Sequence, residues 1–319
     1  MSAFEEIRNE RLKKLELLKE KGVNAFPISV KKSSDISEIL GDFEKLLEKN
    51  KNLNIVGRVM AVRAHGGSVF FDLNDGTGKI QAYIKKDELG EEIFSLFNDT
   101  ADIGDFVAVS GVLFVTKKNE KSIKSSSWKM LAKSLRPLPE KWHGLSDVEE
   151  RFRKRYLDLL MNDDVRRRFV LRSKVISEIR KFLDKEGFLE VETPVLQTLA
   201  GGALAKPFKT RHNALNMDLS LRIAPELYLK RLLVGGFGKV YEIARNFRNE
   251  GIDATHNPEF TMLESYEAYR DADYLMGFAE RLVKAAVINS VGEEKIKFGG
   301  SEINFGGEYP RVKYFDLFK

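Results

Sequence analysis

The chain has 319 residues, enough for two domains, and carries 53 Lys and Arg against 48 Asp and Glu for a formal net charge of +5. It contains no cysteine, which excludes disulfides and thiolate metal sites. Its hydrophobic content of 43% supports ordinary cores, no apolar run reaches membrane length, and residues 1–20 are charged throughout rather than leader-like. These features read as a cytoplasmic protein without a membrane partner. The small positive excess is compatible with a polyanion partner.

Residues 1–50 read as a charged helical segment. Phe4, Ile7, Leu12, Leu15 and Leu18 form a helical stripe that Gly22 would end, and a second short helix is expected over 35–49. The pattern then changes to period two. Strands are expected at 54–63, 68–74, 79–85, 105–116 and 127–133, with turns at Gly66-Gly67, Asp75-Gly76 and Gly104. Five short strands over 51–139 suggest a small barrel with an OB-fold. Phe70 and Gln81 sit on its second and third strands with Arg63 nearby. Phenylalanine can stack on an unpaired base while glutamine and arginine read its edge; equally, Phe70 can be a core residue.

Residues 136–147 form a proline-bearing connection and the expected domain boundary, with a last domain over 140–319. An arginine-rich helix face follows at 148–160. A long helix is expected over 164–186, stopped by Gly187. The strand expected at 188–196 is interrupted by Pro194, so it should lie at an edge or an interface. Gly201-Gly202 permit close backbone approach to a ligand, or simply a mobile turn. Pro225 suits the first position of a helix, where Glu226 would favour the dipole.

Residues 238–266 read as two strands joined by a charged, glycine-containing loop. Alternation places Phe260, Met262, Glu264 and Tyr266 on one face. Arg248 and Glu250 stand where the first strand ends. A guanidinium fork suits phosphate and carboxylate oxygens, a carboxylate can accept from an exocyclic amine, and an aromatic face can stack on a purine. The set could hold a nucleotide on an open sheet; the plain alternative is a solvated hairpin with ion pairs. An amphipathic helix is expected at 271–291, carrying Leu275, Phe278, Leu282 and Val283, and a small hairpin around Gly299-Gly300.

Phe247-Arg248-Asn249-Glu250 fits the Phe-Arg-x-Glu signature of motif 2 in class II aminoacyl-tRNA synthetases, and RNFRNEGIDATHNPEFTMLE resembles the lysyl-tRNA synthetases in particular. GRVMAVRAHGGSVFFDLNDGTGKIQAYI resembles the anticodon-binding barrel of lysyl and aspartyl enzymes, although lysyl enzymes commonly carry lysine where this chain has Gly67. Helix, strand and proline over 164–196 resemble motif 1, which builds the homodimer interface. IAPELYLK is lysyl-like, whereas aspartyl and asparaginyl relatives usually carry a Ser-Pro-Gln variant there.

The resemblance implies an α+β chain: a five-stranded OB-fold barrel followed by a partial class II antiparallel-sheet catalytic domain. It implies ATP-dependent activation of L-lysine and transfer to tRNA(Lys), with magnesium on the ATP phosphates. Arg248 would bridge the α-phosphate and the lysine carboxylate. Glu250 would accept from the adenine amine, Phe260 would stack on adenine, and His256 with Asn257 would face the distal phosphates. Gly202, Glu226, Glu264 and Tyr266 would complete the lysine site, and Arg63, Phe70 and Gln81 would contact anticodon bases. No glycine-rich motif 3 ending in arginine follows Tyr266, and the family's metal ligands would lie beyond residue 319. The chain therefore reads as an N-terminal portion of such an enzyme, expected to be impaired in adenylation by itself. Rival readings are an aspartyl- or asparaginyl-type enzyme, a lysine ligase acting on a translation factor, and a non-catalytic tRNA-binding module.

Overall fold

A computed structural model describes residues 3–139, 145, 147–253 and 255–318. The chain divides into two compact units, Met1–Met161 and Asn162–Lys319.

The first unit opens with α1 (Ala3–Glu20). Gly22, at φ +70°, ends it in a Schellman arrangement: the Val23 amide donates to Leu18 O at 2.8 Å and the Gly22 amide to Lys19 O at 2.9 Å. Leu15 and Leu18 enter the core, but Phe4 and Ile7 are 44% and 42% exposed, so the expected stripe holds only along the second half. Arg11 is buried there instead. Its guanidinium donates to the carbonyls of Ile103, Ser134 and Arg136 and so fastens the helix to the barrel. The single helix expected over 35–49 is two, α2 (Ile36–Gly41) and α3 (Phe43–Glu48), because Asp42 leaves helical geometry and caps both.

The barrel strands are β1 (Leu53–His65), β2 (Ser68–Asn74), β3 (Lys79–Lys85), β4 (Phe106–Val115) and β5 (Lys121–Ala132). They close in the order β1-β2-β3-β5-β4, with β4 pairing back onto β1. Only the β3/β5 pair is parallel. The last strand begins at Lys121, earlier than the expected 127, because Ser122 and Ser125 are polar yet buried, at 0% and 1% exposure, and disguise the alternation. Two helices lie between β3 and β4, α4 (Lys86–Leu89) and α5 (Glu91–Thr100), where no element was expected. Phe97 of α5 packs on Phe71 at 4.7 Å and edge-on to Trp128 at 5.0 Å, joining the barrel core. Helices α6 (Val148–Arg153) and α7 (Arg155–Met161) close this compact unit.

The second unit begins with α8 (Asp163–Lys185), ended by Gly187 at φ +82°. The continuous strand expected at 188–196 is split into β6 (Leu189–Glu190) and β7 (Leu196–Gln197). Pro194 has no amide to give a ladder, and the two pieces join different sheets. β8 (Lys209–His212) and β9 (Met217–Leu221) complete a three-stranded sheet with β7. Then come α9 (Glu226–Val234), β10 (Lys239–Phe247), β11 (Glu259–Glu267), α10 (Ala272–Val291), β12 (Lys295–Phe298) and β13 (Ser301–Asn304). β10 and β11 are antiparallel, and β6 lies at the edge beside β10. One face of this sheet is covered by helices: Tyr241 packs with Leu183, Phe188 and Phe278, and Ile243 and Leu263 join them. On α10, Phe278 and Leu282 face that core, whereas Leu275 and Val283 are 45% and 39% exposed, contrary to expectation. The opposite face, on which α9 lies, carries the candidate site.

Candidate active site

Register decides which residues share the face beneath α9. Phe260 lies opposite Asn246, Met262 opposite Ala244, Glu264 opposite Glu242 and Tyr266 opposite Val240. Directly opposed residues project to the same side of a sheet. The row Phe260, Met262, Glu264, Tyr266 is thus doubled by Asn246, Ala244, Glu242 and Val240. Arg245 and Glu259 lie on the other side and pair with each other at 3.3 Å, more than half exposed, an ordinary surface ion pair.

Beyond β10 the chain turns at Arg248. Its amide donates to Pro258 O at 2.9 Å, which closes the mouth of the loop. Its guanidinium carbon stands 5.1 Å from the Phe260 ring centroid, and its Nε is buried without a hydrogen-bond partner. A buried charged donor left unmatched is unfavourable unless a ligand supplies the acceptor. The Asn249 amide donates to Lys206 O at 2.7 Å, and Glu250 Oε1 accepts from the Lys206 amide at 3.3 Å. The segment between Gly202 and β8 is thereby tied to Arg248–Glu250. His256 and Asn257 lie on the exposed loop. There the Asp253 carboxylate accepts from the backbone amides of Thr255 and His256 and contacts His256 Nδ1 at 2.7 Å. Those bonds, led by the Thr255 amide, hold the Asp253 carboxyl well below the usual carboxylate range.

Gly202, Glu226, Glu264 and Tyr266 meet at the other end of the face. Gly202 has φ +91°, and a Cβ there would lie 2.9 Å from Glu226 Cβ and 3.1 Å from Ala224 Cβ, so only glycine fits. The Tyr266 hydroxyl donates to Glu264 Oε2 at 3.1 Å. Burial pushes the Glu264 carboxyl up, the nearby carboxylates Glu226 and Glu242 push it further, and the Tyr266 bond and Lys230 oppose them. Burial raises the Tyr266 phenol as well. Half-buried carboxylates raised by like charge are poised to accept a cation.

Four neighbours, Glu242, Arg222, Asn246 and Lys230, are not among the residues expected from the sequence. Glu242 is 4% exposed and is neutralised by Arg222, also 4% exposed; Thr193 Oγ1 donates to its second oxygen at 2.6 Å. Arg222 further donates to Thr193 O at 3.0 Å and to Arg245 O at 2.9 Å. Asn246 is fully buried with both carboxamide atoms unpartnered. Lys230 donates to Glu226 one helical turn away. The alternation of β10 was the available signal for Glu242 and Asn246. Arg222 carried none, since it precedes α9 and reaches β10 only through the fold.

In the barrel unit, Arg63 lies opposite Phe70, Asp72 opposite Gln81 and Phe70 opposite Tyr83, so the three expected base-contacting residues share the outer face of β1–β3. Phe70 packs on Tyr83 at 4.6 Å, and Tyr83 on Phe114 at 5.9 Å, forming an aromatic row half open to solvent. Phe70 is therefore not a core residue; Phe71 is. Asp72 orients the Arg63 guanidinium through two bonds of 2.7 and 3.2 Å, and Ser122 donates to Gln81 Oε1 at 3.1 Å. Asp72 and Tyr83 follow from the same alternation and could have been named with Phe70 and Gln81.

Comparison with known proteins finds two matching families. The family described as OB-fold nucleic acid binding domain matches residues 53–131. Among relatives, the lysine-tRNA ligase of Carboxydothermus hydrogenoformans is 51% identical over 307 residues, 96% of this chain and 62% of that protein. The lysine-tRNA ligase 2 of Methanosarcina acetivorans is 51% identical over 306 residues, covering 95% of this chain and 60% of the relative. The lysine-tRNA ligase of Aquifex aeolicus is 53% identical over 267 residues, 84% of this chain and 45% of the relative. The chain thus spans less than two thirds of the length of the curated relatives it matches. The family described as tRNA synthetases class II (D, K and N) matches residues 147–319, more than half of the sequence, and the chain belongs to that family.

Proposed function

We propose that this chain supplies the anticodon barrel and the motif 1 and motif 2 part of a lysine-tRNA ligase. The observation that carries the choice of amino acid is the gathering of Glu226, Glu242 and Glu264 beside the Tyr266 hydroxyl, on the same face as Arg248 and Phe260. A pocket walled by carboxylates attracts an ammonium side chain and repels aspartate. In the first step the lysine carboxylate attacks the α-phosphorus of ATP, and pyrophosphate leaves. In the second the terminal ribose hydroxyl of tRNA(Lys) attacks the activated carbonyl, and AMP leaves. Neither step needs a protein nucleophile, only alignment and charge neutralisation.

Arg248, with its unmatched Nε, would bridge the α-phosphate and the lysine carboxylate. Phe260 would stack on adenine, Glu250 would accept from its amine, and His256 and Asn257 would face the distal phosphates. Magnesium would enter with those phosphates, whose charge it neutralises; among the described residues no three His, Cys, Asp or Glu side chains are grouped to hold an ion. Gly202, Glu226, Glu264 and Tyr266 would hold the lysine. Arg63, Phe70 and Gln81 would contact the anticodon of tRNA(Lys).

Homodimerisation through the motif 1 region is supported by a cleft of about 440 Å³ beside α8, where the apolar side chains of Leu171, Val175, Ile176 and Ile179 are flanked by Arg168 and Arg172. Among the described residues no helix is long and apolar enough to cross a membrane, and a translation enzyme of this kind would work in the cytoplasm. The test is amino-acid-dependent ATP–pyrophosphate exchange on the protein that carries this chain. Exchange with lysine and not with aspartate or asparagine supports the assignment; exchange with aspartate or asparagine replaces it.

A further inference from the structure

Lys230 stands inside the charge arrangement just described, and none of the roles above uses it. It follows Glu226 by one turn of α9, and its ammonium donates to Glu226 Oε1. The same nitrogen lies 5.9 Å from the centroid of the Tyr266 ring, and its charge acts on Glu264 against the push of Glu226 and Glu242. Glu226 Oε2 points toward Gly202, 3.4 Å from where a Cβ would be, so the pair borders the glycine that shapes the pocket. The cation now balancing this anionic wall is therefore the ε-ammonium of a lysine side chain. That is the chemical group the proposed substrate would bring.

We infer that Lys230 is an internal competitor of the substrate: it occupies Glu226 when the pocket is free and is displaced when an incoming ammonium takes its place. Charge bookkeeping favours exchange over coexistence. Arg222 already neutralises Glu242, leaving Glu226 and Glu264 for the two ammonium groups of free lysine. Were Lys230 to stay on Glu226, one substrate ammonium would meet a like charge across the pocket. The Lys230 side chain is 53% exposed, so it has solvent to swing into and gives up only a modest surface-type pair. The competition raises the threshold that any ligand must pass, which handicaps amino acids with a single ammonium more than lysine with two.

This inference rests on the lysine reading, and the experiment separates the two. Lysine-dependent ATP–pyrophosphate exchange is measured over a range of lysine concentrations on the protein that carries this chain, unaltered and with Lys230→Met or Lys230→Arg. Methionine keeps an apolar stem on the helix without the charge. The expected result is a KM for lysine about two- to fivefold lower in Lys230→Met, the range an exposed ion pair spans as a ratio. The KM for ATP should not move, the gain should shrink with added salt, and Lys230→Arg should resemble the parent. If Lys230 merely holds the Glu226 rotamer, KM for lysine rises instead. A raised or unchanged KM in Lys230→Met, beside lysine-dependent exchange in the unaltered protein, overturns this inference alone. Absence of lysine-dependent exchange in the unaltered protein overturns both.

Discussion

Replacing Arg222 by methionine tests how the floor of the site is held. Arg222 and Glu242 are each 4% exposed, and the guanidinium also holds the carbonyls of Thr193 and Arg245. The substitution keeps side-chain volume but strands the Glu242 carboxylate in the sheet, with only Thr193 Oγ1 to bond it. Breaking a buried pair by removing one partner costs about 3–5 kcal/mol, because the remaining charge has lost both water and counter-ion. The sequence from Asn162 to Lys319, which forms the second unit, contains no tryptophan to report on it by fluorescence. Amide hydrogen exchange of peptides covering β10 does report on it. Protection there should fall by about two to three and a half decades, from 1.4 kcal/mol per decade. Adding Glu242→Leu removes the stranded charge and should recover most of the loss, leaving about 1–2 kcal/mol for the bonds to Thr193 and Arg245. A single-variant change below about tenfold, or a double variant no better protected than the single, would show that the pair does not hold the floor.

Three further outcomes follow from the two sites. Because the Glu264 carboxyl is raised, the KM for lysine should climb on acidification at a pH above the ordinary glutamate range; Glu264→Gln should abolish that limb and weaken lysine binding by about ten- to a hundredfold at neutral pH. For stability the sign is reversed: the folded state binds this proton more tightly than the unfolded one, so the Glu264 contribution is present at low pH and is lost as pH rises through its folded value. Gly202→Ala should destabilise the loop by about 1–3 kcal/mol, since it adds a Cβ 2.9 Å from Glu226 Cβ at a φ of +91°, and should raise the KM for lysine more than that for ATP. Phe70→Ala should weaken binding of an anticodon stem-loop by about 1–3 kcal/mol with an unaltered salt slope, measured by fluorescence anisotropy; an unchanged Kd would remove Phe70 from the interface.

Patterns local in the chain were readable from it. β2 and β3 have the bounds that alternation dictates, and Gly22 and Gly187 stop their helices because each must adopt positive φ. Where a residue type misrepresents its surroundings, local reading failed. Ser122 and Ser125 are polar yet buried, which hides the first half of β5; Arg11 is charged yet buried, whereas the apolar Phe4 and Ile7 of the same helix are exposed. Pro194 announced an edge but not that the chain there passes from one sheet to another, since that depends on which partner each half finds.

The candidate site divides along the same line. Phe260, Glu264 and Tyr266 are placed by the period of one strand, and Arg248 by its distance from that strand's partner. What makes Glu264 different from Glu242 lies in no local pattern, since the two carboxylates face each other across the same rung of the ladder. Arg222, reaching in from before α9, takes both the charge and the hydrogen-bonding capacity of one of them. The other keeps only a tyrosine hydroxyl at 3.1 Å and a raised proton affinity. A pair of equivalent glutamates would share one proton between them, as like charges in a low dielectric must. Neutralising one by a buried guanidinium breaks that equivalence and leaves the other for the role proposed above, acceptor of an outside ammonium. The selectivity proposed for this pocket therefore depends on an arginine that touches no substrate.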